Sequence, residues 1–253
     1  MPGLPELSGL DDVGDRGRPK RVGHKGADHI APGNTAESFR AALAHGVDMI
    51  EFDVLPQRLD GSGELLLAHD YLDASARRPM TLAEGLEHFA HEAYNGVELD
   101  VDLKLPGYEE RVVAALREHG LADRSLISTM EPESLRVVRR VAPELRLGRS
   151  FPRVRRDLTR HPVYRWPAYA VIAWWRRRLP AAIGSQLRAG EVDALMAHWA
   201  FVTPALAKAV SSAGGELYVW TVDDAERIAA LERLGVTGII TNDPRLFDAM
   251  PRR

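Results

Sequence analysis

Met49-Ile-Glu-Phe-Asp-Val54 decides how this chain is read. Taken as a strand, its side chains alternate between two faces. Ile50, Phe52 and Val54 form an apolar face suited to packing under helices. Glu51 and Asp53 share the opposite face, about 6.6 Å apart along the strand. Inside a fold, two such carboxylates repel and lose hydration unless a cation lies between them or each is hydrogen-bonded.

Three further stretches carry ionisable groups to strand ends. Val22-Gly-His-Lys-Gly26 runs into a Gly-flanked turn that presents His24 and Lys25. Leu65-Leu-Leu-Ala-His-Asp70 is an apolar run ending in His69. In Val97-Glu-Leu-Asp-Val-Asp-Leu-Lys104, apolar residues alternate with Glu98, Asp100, Asp102 and Lys104. A parallel strand covered on both sides is ordinarily apolar throughout. Four charges on one face therefore indicate either an interior ion-pair network or a site.

Strand-like runs begin near Arg21, Asp48, Glu64, Val97, Ser125, Leu145, Val192, Glu216 and Val236, with helix-like runs between most of them. Helix starts are signalled by Asn34 with Glu37, by Thr203-Pro204 and by Asp223 with Glu226. This alternation predicts parallel strands with helical crossovers. Asp60-Gly61 marks a turn joining the second and third strands without a helix. A closed barrel uses eight strands, so one of the candidates is short or lies outside the ring.

The 253 residues carry a net charge of −3 and no cysteine. The length fits one large α/β domain, here residues 21–253, behind a flexible leader over residues 1–20 that is rich in Gly, Pro and charge. The absence of cysteine excludes disulfides, thiolate metal sites and a cysteine nucleophile. The near-neutral balance argues against a nucleic-acid binder. There is no run of eighteen apolar residues to cross a membrane and no signal core, so a cytoplasmic protein is expected. One segment differs: Arg153 to Arg188 holds nine arginines against the single acid Asp157, with Trp166, Trp174 and Trp175 interleaved. Arginines flanking aromatic rings suit an anionic lipid interface, and peripheral membrane contact through residues 153–188 is an expectation to set against an ordinary solvated helix.

In a barrel the face away from the helices is the interior, and chemistry collects at the carboxyl ends of the strands. Glu51, Asp53 and Asp102 converging there form a hard oxygen set for one Mg²⁺ or Ca²⁺. His24 and His69 are candidates for general base and general acid, and Lys25 and Lys104 place positive charge where an anion would lie. Such a constellation suits hydrolysis of a phosphodiester. Trp220 and His198, each at a strand end, are candidates for lining the mouth, and Asp100 faces the same way as the proposed ligands.

These stretches resemble the glycerophosphodiester phosphodiesterases, whose members read H-R-G-A, P-E-N-T, E-x-D-V, H-D and E-x-K. This chain has His24-Lys-Gly-Ala27, Pro32-Gly-Asn-Thr35, Glu51-Phe-Asp-Val54, His69-Asp70 and Asp102-Leu-Lys104. Ile127-Ser-Thr-Met130, Tyr218-Val-Trp-Thr-Val-Asp223 and Gly238-Ile-Ile-Thr-Asn-Asp-Pro244 also look like the family. The resemblance implies a single (β/α)8 TIM-type barrel of the phospholipase C-like phosphodiesterase kind. It further implies one divalent cation on Glu51, Asp53 and Asp102, His24 and His69 as the acid–base pair, and Lys25 and Lys104 on the phosphoryl oxygens. The implied reaction releases glycerol 3-phosphate and an alcohol, with the glycerol 2-hydroxyl as an internal nucleophile. The chain departs from the pattern at three places. Lys25 replaces an arginine and gives up its bidentate fork, Asp102 is one methylene shorter than glutamate, and Gly33 removes a carboxylate. Two alternatives stand beside this reading: a phospholipase D-like hydrolase acting on lysophospholipids at a membrane surface, and a catalytically degenerate phosphate- or lipid-binding barrel. Oligomeric state is left open.

Overall fold

A computed structural model describes residues 17–153 and 165–248, with the side chains of residues 165–168 excepted. Most of the proposed leader, residues 1–16, lies outside the described residues, as does the part of the Arg/Trp segment from 154 to 164. Eight parallel strands close into a barrel: β1 (Lys20–Gly23), β2 (Met49–Pro56), β4 (Glu98–Leu103), β5 (Ser125–Thr129), β6 (Arg146–Phe151), β7 (Ala194–His198), β8 (Glu216–Trp220) and β9 (Gly238–Thr241), which pairs back onto β1. The ninth candidate is β3 (Leu65–Leu66), two residues long and antiparallel to β2 outside the ring. It is both short and external, and no helix separates it from β2. The helices are α1 (Ala36–Ala44), α2 (Tyr71–Ala76), α3 (Leu82–Phe89), α4 (Glu109–Glu118), α5 (Pro132–Val141), α6 (Arg165–Arg188), α7 (Pro204–Ser212) and α8 (Ala225–Leu234).

The alternation in β2 sorts as its pattern predicts. Phe52 stacks on Phe89 of α3 at 5.2 Å, and Phe89 meets Phe39 of α1 at 4.7 Å. Rings held at these separations add to the apolar area they bury between sheet and helices. On the inner side Val22, Met49, Leu126, Ala194, Met196, Tyr218 and Ile240 fill the barrel. Tyr218 fits because Gly238 has no side chain; a Cβ there would meet the ring at 2.4 Å.

The charged face of β4 divides by depth. At the base Glu98 accepts from Lys20 Nζ at 2.5 Å and pairs with Arg146, which also reaches Glu216. This end is the ion-pair network. Asp100 sits in the middle, 1% exposed. Asp102 and Lys104 stand at the carboxyl end, beside Asp53 in the β2–β4 register. No helix among the described residues is long and apolar enough to cross a membrane.

Candidate active site

Parallel pairing of β2 with β4 aligns Glu51 with Asp100 and Asp53 with Asp102. Oxygen atoms of Glu51, Asp53 and Asp102 lie within 4.8 Å of one another. Glu51 is 5% and Asp53 0% exposed. Asp100 lies one layer deeper, outside that group of three. Lys104 Nζ forms ion pairs with both Asp53 and Asp102. Asn34 Nδ2 donates to Asp53 Oδ2 at 2.8 Å, and the Asp53 amide donates to Asn34 Oδ1 at 3.0 Å. Asp53 Oδ1 is buried without a hydrogen bond and is met only by the Lys104 charge.

Burial and then the charge of Asp53 push Glu51 well above the usual carboxylate range. Burial raises Asp100 to about 7. Burial also acts upward on Asp53, but the Lys104 ammonium and His69 outweigh it and hold this carboxyl well below its ordinary value. Four inward carboxylates thus share one ammonium. That charge deficit, the hard oxygen donors and the open mouth fit a divalent cation. The acidic trio can hold a metal ion.

The imidazoles flank this trio on different members. His24 Nε2 is 3.8 Å from Glu51 Oε2, and His69 Nδ1 is 3.3 Å from Asp53 Oδ2. His24 Nδ1 lies 2.5 Å from Asn242 Oδ1. Asn242 Nδ2 donates to Asp223 Oδ2 at 2.7 Å, and Asp223 Oδ1 accepts from the Asn242 amide at 2.8 Å and from Thr241 Oγ1 at 2.9 Å. Asp223 fixes the amide so that Asn242 presents its oxygen. His24 must then carry its proton on Nδ1, leaving the Nε2 lone pair facing the carboxylates.

Burial lowers His24 to about 4, so the ring is neutral near pH 7. The consequence for stability has a definite sign. Between pH 6.5, the value of a free imidazole, and about 4, the unfolded chain takes up a proton that folded His24 refuses. His24 therefore withdraws stability as pH falls through that window. We expect His24→Gln to reduce this loss by up to about 3 kcal/mol, read as the difference between variant and wild-type unfolding free energies at pH 7 and pH 4 without added divalent cation. Parallel curves for the two proteins would contradict it.

Neither expected phosphate-binding ammonium stands alone. Lys25 Nζ pairs with Asp28 Oδ2 at 2.5 Å, and Lys104 sits between Asp53 and Asp102. The Lys25 amide donates to Glu51 Oε2 at 2.7 Å from a left-handed backbone, φ 50°, a conformation a lysine adopts only when its surroundings hold it there. The missing carboxylate at Gly33 has a counterpart. Asp28 Oδ1 accepts from the Gly33 amide at 2.8 Å, and a Cβ on Gly33 would come within 2.6 Å of that oxygen. Arg77 donates to the Gly33 carbonyl at 2.6 Å and closes one side of a cleft of about 280 Å³ lined also by Lys25, Asp28, His69 and Asp73. Trp220 and His198, the last residues of β8 and β7, meet edge-on at 5.2 Å in the mouth wall, where Trp220 Nε1 donates to the Met196 carbonyl.

The sequence pattern assigns no site role to Asn34, Asn242, Asp223, Asp28 or Arg77. Its spacing predicts helix starts at Asn34 and Asp223, and the structure corrects both. The α1 cap is Thr35, whose side chain accepts from Ser38, and the α8 cap is Asp224, which accepts from Arg227. Asn34, with φ 58°, stands one residue earlier and turns inward to Asp53, and Asp223, also one residue earlier, stays exposed and holds Asn242. At Thr203-Pro204 the expected cap is present, with Thr203 accepting from Leu206.

The sequence model of the glycerophosphoryl diester phosphodiesterase family matches residues 24–75 and 79–246. A glycerophosphodiester phosphodiesterase of Caldanaerobacter subterraneus subsp. tengcongensis is 26% identical over 264 residues, covering 92% of this chain and 97% of the relative. Among solved structures, a phosphodiesterase of Oleispira antarctica in complex with the product sn-glycerol-3-phosphate superposes with a TM-score of 0.67 at 20% identity, covering 92% of this chain and 98% of its own. A glycerophosphodiester phosphodiesterase of Agrobacterium tumefaciens gives 0.66 at 21% identity, covering 92% and 100%.

Proposed function

This chain belongs to the glycerophosphoryl diester phosphodiesterase family, a family of phosphoric diester hydrolases, and we propose that it hydrolyses glycerophosphodiesters to glycerol 3-phosphate and an alcohol. The observation that carries this reading is the buried trio Glu51, Asp53 and Asp102 with an imidazole on either flank. The product bound in the Oleispira antarctica enzyme supports the choice of glycerol 3-phosphate.

Glu51, Asp53 and Asp102 would hold one divalent cation, Mg²⁺ or Ca²⁺, which when bound polarises a phosphoryl oxygen and offsets its charge. His24, neutral and with Nε2 free of its own proton, accepts the proton of the attacking hydroxyl, the glycerol 2-hydroxyl or water, as the new O–P bond forms. His69, 54% exposed at the mouth, gives a proton to the departing alkoxide as the second O–P bond breaks. Where the glycerol 2-hydroxyl attacks, water then opens the resulting cyclic phosphate to glycerol 3-phosphate, with His69 taking the proton of the water and His24 returning its own to the released 2-hydroxyl oxygen. Lys104 and Lys25 would supply positive charge to the phosphoryl oxygens. Asn34 and Asn242 position Asp53 and His24.

Assaying glycerophosphocholine with Mg²⁺ or Ca²⁺, with and without chelator, tests this reading. We expect turnover to disappear with chelator and to return on adding back either ion. Turnover that survives chelation would refute the metal assignment, and none with either ion would favour the non-catalytic binding barrel. A second reading, hydrolysis of lysophospholipids at a membrane surface, is favoured by the exposed apolar side chains at the barrel mouth.

A further inference from the structure

The large apolar side chains that stand exposed among the described residues are Ile30, Leu59, Leu72, Val171 and Trp174. Single exposed apolar residues are ordinary; their distribution here is one-sided. Ile30 lies in the turn after β1, Leu59 at the tip of the β2–β3 hairpin and Leu72 in the first turn of α2, just past His69. Val171 and Trp174 lie in the first half of α6, which follows β6. Ile30, Leu59, Val171 and Trp174 occupy segments leaving the carboxyl ends of barrel strands, and Leu72 follows His69 at the same end, where the carboxylate trio opens.

α6 carries this furthest. Trp175 packs edge-on against Phe151, the last residue of β6, at 5.0 Å, and Arg176 Nε donates to the Ala200 carbonyl, just past β7, at 2.8 Å. These contacts set Trp175 and Arg176 level with the barrel rim. Further along, Gln186 accepts from Arg149 within β6, so the helix descends the wall from there. Ahead of Trp175 the helix lies on the mouth side with one face seated, Ile172 packing against the core, and the other turned outward. On that outward face Val171 is 54% and Trp174 51% exposed. Arg177 and Arg178 are exposed directly below, with the Arg178 guanidinium 5.7 Å from the Trp174 ring centre. No acidic residue occurs from Leu158 to Gly190.

An apolar, aromatic tip above an arginine collar matches the depth profile of an anionic bilayer, with acyl boundary beyond headgroup phosphates. We infer that the mouth face docks on anionic membranes. Val171 and Trp174, on the outward face of α6, enter the acyl boundary, Arg177 and Arg178 sit at the phosphates, and Ile30, Leu59 and Leu72 meet the surface across the mouth. The cleft then opens onto the bilayer, within reach of diesters whose alcohol carries a lipid chain. Docking is independent of the hydrolytic reading, whereas the lipid-bearing diester rests on it.

The full chain is tested on phosphatidylcholine vesicles with and without phosphatidylglycerol, by co-sedimentation, alongside turnover of soluble glycerophosphocholine. Binding should require phosphatidylglycerol and weaken with salt. Arg177→Glu with Arg178→Glu should lower partitioning at least about 25-fold, from roughly fivefold per arginine. Val171→Ser with Trp174→Ser should also weaken it, and both variants should keep wild-type turnover on the soluble diester. Binding that ignores anionic lipid, or variants that partition as wild type, would overturn the docking surface. Soluble turnover without vesicle binding would overturn docking alone. Vesicle binding that behaves as described without any turnover would support docking and remove the hydrolytic reading.

Discussion

Replacing His24 by alanine should slow hydrolysis of glycerophosphocholine by about 10²–10⁴-fold, the range a positioned acid–base group contributes. The size of the effect follows from how the ring is held. Burial keeps it neutral, with a value lowered to about 4, and the Asp223–Asn242 relay sets the tautomer that leaves Nε2 basic. His69 cannot take over, because it leans on Asp53 from the exposed side of the trio. The loss should fall on kcat more than on KM, since the imidazole acts on a proton in flight and not on the bound diester. His69→Ala should lose rate on the same scale, through the leaving alcohol. An His24→Ala enzyme working within about threefold of wild type would take this imidazole out of the mechanism.

Much of this arrangement is legible in the chain because strands write their faces in alternation. Glu51 and Asp53 are readable as inward because Ile50, Phe52 and Val54 between them are apolar, and the structure packs Phe52 under Phe89 as that alternation requires. Asp102 is readable for the same reason, and the parallel register delivers it beside Asp53. What the pattern does not encode is depth. Glu98 and Asp102 lie on one face of β4, yet one closes the base with Lys20 and Arg146 and the other reaches the mouth. Local signals also mislead where two functions compete for neighbouring residues. Asn34 and Asp223 look like helix caps by spacing, but Thr35 and Asp224 do the capping, which frees Asn34 to turn into the barrel and Asp223 to hold Asn242. The compensation at Gly33 is invisible in one dimension, since Asp28 comes to that spot through a turn and not through periodicity.

Asp53→Asn should weaken binding of Mg²⁺ or Ca²⁺ by more than the roughly 10–100-fold that loss of an outer partner costs. Asp53 is the fully buried member of the trio. It is also where Lys104, Asn34 and His69 converge. The amide keeps the shape but withdraws the charge that Lys104 holds well below the ordinary carboxylate range. A cation entering between the strands would then meet two carboxyl ligands and a neutral amide in place of three carboxyl groups, with the ammonium still on Asp102. Asn34→Ala is the comparison: it leaves every proposed ligand in place and removes only the support, so it should fall inside the 10–100-fold range. Calorimetric titration of each ion into the two variants and wild type reads affinity apart from turnover, and far-ultraviolet circular dichroism checks that the barrel remains. If Asp53→Asn bound the cation as tightly as wild type, the contact between Lys104 and the two aspartates would be a permanent ion pair, and the metal assignment to this trio would fall.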